Sequence, residues 1–170
     1  MYVITARFDR LSDVSVGNLL GALGVYVLWD GHAKARPTYV GEGNILRRLV
    51  EHERRFARPL DGFVAVLSDD SRPWQRAKAD GTILEAMLIG VADLTDRSPS
   101  VNVAPGQLRA LDDIFRQHGT VRINVMGLDP LRPPEDLPRI TGQKRIVLRE
   151  TRTGGIEVDH EWRARRRRSS

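Results

Sequence analysis

The chain has 170 residues, 41% of them hydrophobic and 29% charged, which is enough for one well-buried domain with attachments and too few for two full-sized ones. It has no cysteine, so disulfides, thiolate zinc or iron-sulfur sites and a catalytic thiol are excluded, and any metal has to be held by oxygen or imidazole. Lys and Arg number 27 against 22 Asp and Glu, a net +5 for which Arg163, Arg165, Arg166, Arg167 and Arg168 account in full, so residues 1–162 are formally neutral. A basic tail on a neutral body suits either attraction to phosphate backbones or a disordered, solubilising end. Near the N-terminus Arg7, Asp9, Arg10 and Asp13 interrupt every apolar run, which fits neither a signal peptide nor a membrane span and predicts a cytoplasmic protein.

In chain order, residues 2–8 (YVITARF) alternate loosely and predict a strand. Residues 15–23 read as a short helix opened by a serine cap and ended by Gly24. The β-branched and aromatic run GVYVLWD predicts a buried strand, a turn with Gly, His and Lys follows, and a second strand at 38–41 suggests a hairpin. Asn44 stands where a helix cap belongs, and ILRRLVEHERRF behind it has helical apolar spacing with a basic opposite face. FVAVLS is a third short strand, and Pro73 opens a long helix running to about Val91. Further on come a helix at 107–118 stopped by Gly119, a strand at 121–126, a Pro-rich loop at 128–138, and a hairpin of RIVLRE and GIEVDH around Gly154 and Gly155.

Several residues are unusual for a plain core. Tyr26 and Tyr39 begin or occupy neighbouring strands, so the hairpin can bring two phenols together, although tyrosine is also a common structural strand residue. Asn44, Arg48 and His52 recur every fourth residue and share one helix stripe. Such a stripe can grip a phosphate, because guanidinium donates two hydrogen bonds and keeps its charge, or it can be an ordinary solvated face. Glu85 is the only charge between Asp80 and Asp93, and a carboxylate in that apolar helix needs a partner: a hard divalent cation, Lys78 or solvent.

These pieces together resemble the GIY-YIG nuclease superfamily. The first signature stands as Gly24-Val25-Tyr26 and the second as Tyr39-Val40-Gly41. The family's arginine followed four residues later by histidine or tyrosine fits Arg48 and His52, its metal-binding glutamate matches Glu85 in ILEAMLI, and its downstream asparagine matches Asn102 in SPSVNV. The resemblance spans about residues 16–104 and rests on six elements in order, since either three-letter signature alone is weak. The gap from Tyr26 to Tyr39 is slightly wider than in compact members, with His32, Lys34 and Arg36 in the extra turn.

The resemblance implies an α+β fold with a small three-stranded antiparallel sheet flanked by helices, with strands near 24–29, 37–41 and 62–67. The chain then divides into an N-terminal extension (1–15), the nuclease core (16–104), an α/β C-terminal extension (105–161) and a disordered basic tail (162–170). It also implies a DNA endonuclease in which Glu85 binds one Mg2+ or Mn2+, Arg48 stabilises the charged transition state, Tyr26 accepts a proton from the attacking water, Tyr39 and His52 orient the reactants, and Asn102 holds the local structure. One metal cuts one strand, so a double-strand break needs two visits or a homodimer. Candidates for nucleic-acid contact are Lys34 and Arg36 in the loop, Asn44 and Arg47 on the helix, Lys144 and Arg145 on the hairpin, and Arg165 and Arg166 in the tail, the hairpin and tail reading equally well as a packed edge with a solvated end. The rival readings are a non-catalytic nucleic-acid-binding protein with the same fold and an unrelated α/β protein with coincidental motifs.

Overall fold

The computed structural model describes residues 1–30, 36–56, 60–69, 72–95 and 109–163. Its strands are β1 (Tyr2–Arg10), β2 (Leu23–Trp29), β3 (Tyr39–Asn44), β4 (Asp61–Val66), β5 (Thr120–Gly127), β6 (Lys144–Glu150) and β7 (Ile156–His160). The helices are α1 (Val16–Leu19), α2 (Ile45–Phe56), α3 (Trp74–Leu94) and α4 (Arg109–His118). All seven strands join one curled sheet in the order β3-β2-β4-β1-β5-β6-β7. The expected small three-stranded sheet is therefore corrected: β2, β3 and β4 do pair antiparallel, but they form less than half of the sheet.

The reason is β1. Its tip pairs antiparallel with β4 at Asp9 and Arg10, while residues 2–8 run parallel to β5. The strand thus sutures the hairpin half to a second half made of β5, β6 and β7, and the Arg10 guanidinium donates to Asp61 (2.9 Å from Nε) across the seam. Where β1 leaves β4, Arg72 and Arg76 donate to the Thr5 and Val3 carbonyls, so the freed strand edge is not left without donors. Pairing of residues near positions 4 and 123 leaves no local trace in the sequence, which is why the second half reads as an appendage there.

α3 packs on β2 and β3, and α4 on β5. One continuous core runs beneath both halves, from Val25, Val27 and Phe63 through Leu84, Leu88 and Phe115 to Ile146 and Leu148. A smaller cluster of Leu19, Ala22, Ile45 and Val64 lies under α1 and α2 on the other face of the hairpin half. β2 is therefore buried on both faces, as its unbroken apolar run requires. α1 is shorter than the sequence suggests. Ser15 does cap it, accepting from Asn18 N, but Gly24 lies inside β2, where a side chain would overlap the Ala65 carbonyl. The Pro-rich loop contains one 3-10 turn, Pro134–Asp136. Among the described residues no helix is long and apolar enough to cross a membrane.

Candidate active site

The site forms at the β3 edge, where side chains from four elements meet. Along β2, Val25, Val27 and Trp29 enter the core beneath α3, so Tyr26 projects to the α2 side. It is almost completely buried, and its hydroxyl hydrogen-bonds Nε2 of His52 at 2.9 Å. In the tautomer carrying its proton on Nδ1, that histidine accepts from the phenol and presents a basic nitrogen to it. The Tyr39 ring stacks near Tyr26 (6.1 Å between centroids) and tilts against His52 (4.4 Å). Gly41 lies directly across the ladder from Tyr26, and a Cβ there would overlap the Tyr26 hydroxyl and the Tyr39 ring. The third letter of the second signature is thus a space requirement of the two phenols.

α2 supplies the histidine and the guanidinium. Asn44 Oδ1 accepts from Arg47 N (3.1 Å), so the cap read from the sequence is present. One and two turns on, Arg48 and His52 follow on the same stripe, His52 buried and Arg48 55% exposed at its side chain. Arg48 rests on Glu51 (3.2 Å), which also pairs with Arg47, an exposed arrangement that costs little to break. The His52 imidazole is held below its ordinary pKa by burial and then by Arg55 and Arg48, which favours its neutral form.

The carboxylates come from the other side of the edge. Glu42 pairs with Val25 and so projects toward α3, where its Oε2 lies 3.6 Å from where a Cβ on Gly81 would stand. Glu85, one turn along α3, is half-buried. Burial and then the neighbouring Glu42 push its pKa up to about 7, against the pull of Arg48. Glu42 is raised too, by burial, with Arg48 and Lys78 opposing. Neither carboxylate makes a hydrogen bond or ion pair with a described residue. Both act electrostatically on the two phenols: Tyr26 is raised far above its ordinary value by burial, Tyr39, Glu85 and Glu42, and Tyr39 is raised by burial and Glu85, while Arg48 pulls both down.

Tyr26, Tyr39, Arg48, His52 and Glu85 are therefore neighbours around one edge strand. Glu42 joins them, a residue the sequence reading passed over; the signal was an acid flanked by two glycines just before a helix cap. Of the residues considered for nucleic-acid contact, Arg47 and Arg36 are exposed, and Asn44 spends its carbonyl oxygen on the cap. Lys144 and Arg145 lie at the far end of the sheet in ion pairs with Asp129 (3.1 Å) and Glu161 (2.8 Å). Lys34, Asn102, Arg165 and Arg166 lie outside the described residues. No group of three or more potential metal ligands occurs among the described residues, so a cation here would take two carboxylates and water. Compared with models of protein families, with curated proteins and with solved structures, the chain matches none.

Proposed function

We propose that the protein is a divalent-metal-dependent endonuclease that hydrolyses DNA phosphodiester bonds, one strand per active site, as the resemblance to GIY-YIG nucleases implies. The observation that carries the reading is that Tyr26 and Tyr39 of the hairpin pack on His52 of α2, one turn from Arg48, while Glu42 of the same edge strand reaches the turn of α3 that precedes Glu85. A plain core gains nothing from that gathering, because two half-buried carboxylates that repel each other cost stability.

Glu85 and Glu42 fit a hard cation such as Mg2+ or Mn2+: they offer oxygen only, have no donor among the described residues and carry a charge conflict that a cation relieves. A cation held by these two residues would supply positive charge against the negative charge that builds up as the phosphodiester is cleaved. Neutralising the carboxylates would also remove two of the influences that keep Tyr26 protonated. Arg48 leaves its exposed contact with Glu51 and donates to the phosphoryl oxygens as their negative charge grows. A water attacks phosphorus and passes its proton to the Tyr26 oxygen, while the Tyr26 proton moves to Nε2 of the neutral His52 over the existing 2.9 Å hydrogen bond. The new P–O bond forms as the bond to the 3′ oxygen breaks, and solvent protonates the released alkoxide. Tyr39 holds the imidazole by ring contact, which keeps Nε2 aimed at Tyr26. This relay gives His52 a proton-accepting part and answers the difficulty of using a buried phenol as a base.

The test is incubation of supercoiled plasmid with purified protein and Mg2+ or Mn2+, with EDTA as control. Nicked circles that accumulate only with the cation are expected. Intact plasmid under all conditions, at protein in excess over DNA, would overturn the reading, and retained DNA binding in that case would favour a non-catalytic binding protein.

A further inference from the structure

A second surface lies outside the active site, in a cleft of about 590 Å³ between the Pro-rich loop, the start of β6 and the chain after β7. Its lining holds four cations, Arg132, Arg139, Lys144 and Arg163, and two acids, Asp129 and Glu161. Both acids are already used. Asp129 is buried and accepts from Lys144 Nζ (3.1 Å), Trp162 Nε1 (3.1 Å) and Leu131 N (3.0 Å). Glu161 is gripped by Arg145 through Nε (2.9 Å) and Nη2 (2.8 Å), a hydrogen-bonded pair that holds its pKa below the usual carboxylate range. That leaves Arg132, Arg139 and Arg163 exposed and without an ion pair among the described residues. Thr141 and Gln143 add neutral polar groups to the same wall.

The cleft is also tied to the start of the arginine run and to the catalytic half. Trp162 is locked into the fold by its bond to Asp129, which fixes the point where the arginine run of the sequence begins, at the cleft rim. The loop beneath it is anchored to the catalytic half, because Trp29 Nε1 donates to the Pro130 carbonyl (3.1 Å) at the end of the strand that carries Tyr26. Three residues of strand separate Trp29 from Tyr26, about 10 Å.

We infer that this cleft binds the phosphate backbone of duplex DNA through Arg132, Arg139 and Arg163, holding the duplex while the β3 edge acts on it. The inference rests on the proposed function for the identity of the polyanion, and on fixed geometry for the location. It also replaces Lys144 and Arg145, whose charges are occupied within the fold, by their unpaired neighbours. Exposed, unpaired guanidinium groups on an anchored wall neutralise phosphates without base contacts, so binding should be insensitive to sequence and steep in salt.

The experiment uses full-length protein carrying Glu85→Gln and measures binding to a fluorescent 25-base-pair duplex without divalent ions, from low to physiological salt. Adding Arg132→Ser, Arg139→Ser and Arg163→Ser is expected to weaken binding about ten- to a hundredfold and to lower the log–log salt slope by about 2–3, since each lost phosphate contact removes about 0.9. All three side chains are exposed, so an unchanged melting curve checks the fold. Arg145→Ser is the matched control and should change affinity less than about threefold. Unchanged affinity and slope in the triple variant would overturn the inference, as would equal binding of a polyglutamate peptide of the same charge. Loss of plasmid cutting bears on the proposed function alone: a wild-type protein that binds through these arginines yet never cuts leaves the cleft standing and removes the nuclease.

Discussion

The two halves of the sheet treat charge in opposite ways, and two acids of α3 show it within five residues. Asp80 serves the β1 half. It has no exposed surface, accepts from the Tyr2 hydroxyl at 2.6 Å and lies between the Nε atoms of Arg72 (3.6 Å) and Arg76 (3.8 Å). The Tyr2 phenol is pushed up to about 12 by burial and by that same carboxylate, so it stays a donor. Glu85 projects about 140° away around the helix, toward the β3 edge. There its charge is opposed by another carboxylate, acts on two phenols and is drawn by a guanidinium that faces solvent. Lys144 and Asp129, and Arg145 with Glu161, repeat the Asp80 pattern in the second half. The Asp80 carboxylate, also raised by burial, has a phenol donor and two guanidinium groups beside it, whereas the one at the edge has no hydrogen bond or ion pair among the described residues and is available to a ligand.

The sharpest way to break that contrast is to neutralise both acids. Glu85→Gln is expected to lower cleavage at least about 10³-fold with the protein fully folded, because the cation loses its principal ligand. Asp80→Asn should leave the rate per folded molecule within about threefold and instead cost about 3 kcal/mol, since Arg72 keeps a charge with 18% side-chain exposure and no counter-ion. In a chain of this length that is a fall in Tm of roughly 6–12 °C. Steady-state cutting and thermal melting of both variants decide it, and a large activity loss in Asp80→Asn without destabilisation would erase the distinction.

A smaller effect separates the arginines. Arg48→Ala should reduce kcat about 10²- to 10³-fold with a modest change in KM, because its contact is made as charge grows on the phosphoryl group. Arg145→Ala, which unpairs an exposed bridge, should leave kcat within about twofold. Equal losses in the two variants would mean that both act by general electrostatics.

How much of this was legible in the sequence follows the range of the interactions. The hairpin, the Asn44 cap, the start of α3 and the Gly154 turn are set by neighbours a few residues apart, and the sequence names them. The seven-stranded sheet depends on β1 finding β5, some 119 positions away, and parallel pairing has no turn residues to announce it. The hairpin and the four-residue spacing announce Tyr26 beside Tyr39 and Arg48 beside His52, while joining these pairs to each other and to Glu85 was legible through motif order alone. Glu42 was not, because a period of two hides it on the opposite face from the phenols until α3 is seen to pack there. Lys144 and Arg145, which read in the sequence equally well as candidates for DNA contact or as part of a packed edge, pair with Asp129 and Glu161, 15 and 16 residues away.

The smallest predicted effect probes the charge conflict without any substrate. The Glu85 carboxyl has a pKa of about 7 in the fold against an ordinary 4.5. A raised carboxylate pKa means that the native state binds the proton more tightly than the unfolded chain does. Its contribution to stability is therefore full below pH 4.5, declines as pH rises to 7, and stays lost above that. Glu85→Gln cannot ionise, so it should melt with wild type at pH 4.5 and above it at pH 8. Partial exposure of the side chain screens the effect to about 1–2 kcal/mol, or roughly 2–8 °C. Mg2+ added at pH 8 should raise the melting point of wild type and not that of the variant, because the cation neutralises the same conflict that the substitution removes. A variant less stable than wild type at pH 8 would show that the Glu85 charge supports the fold, and would place it with Asp80.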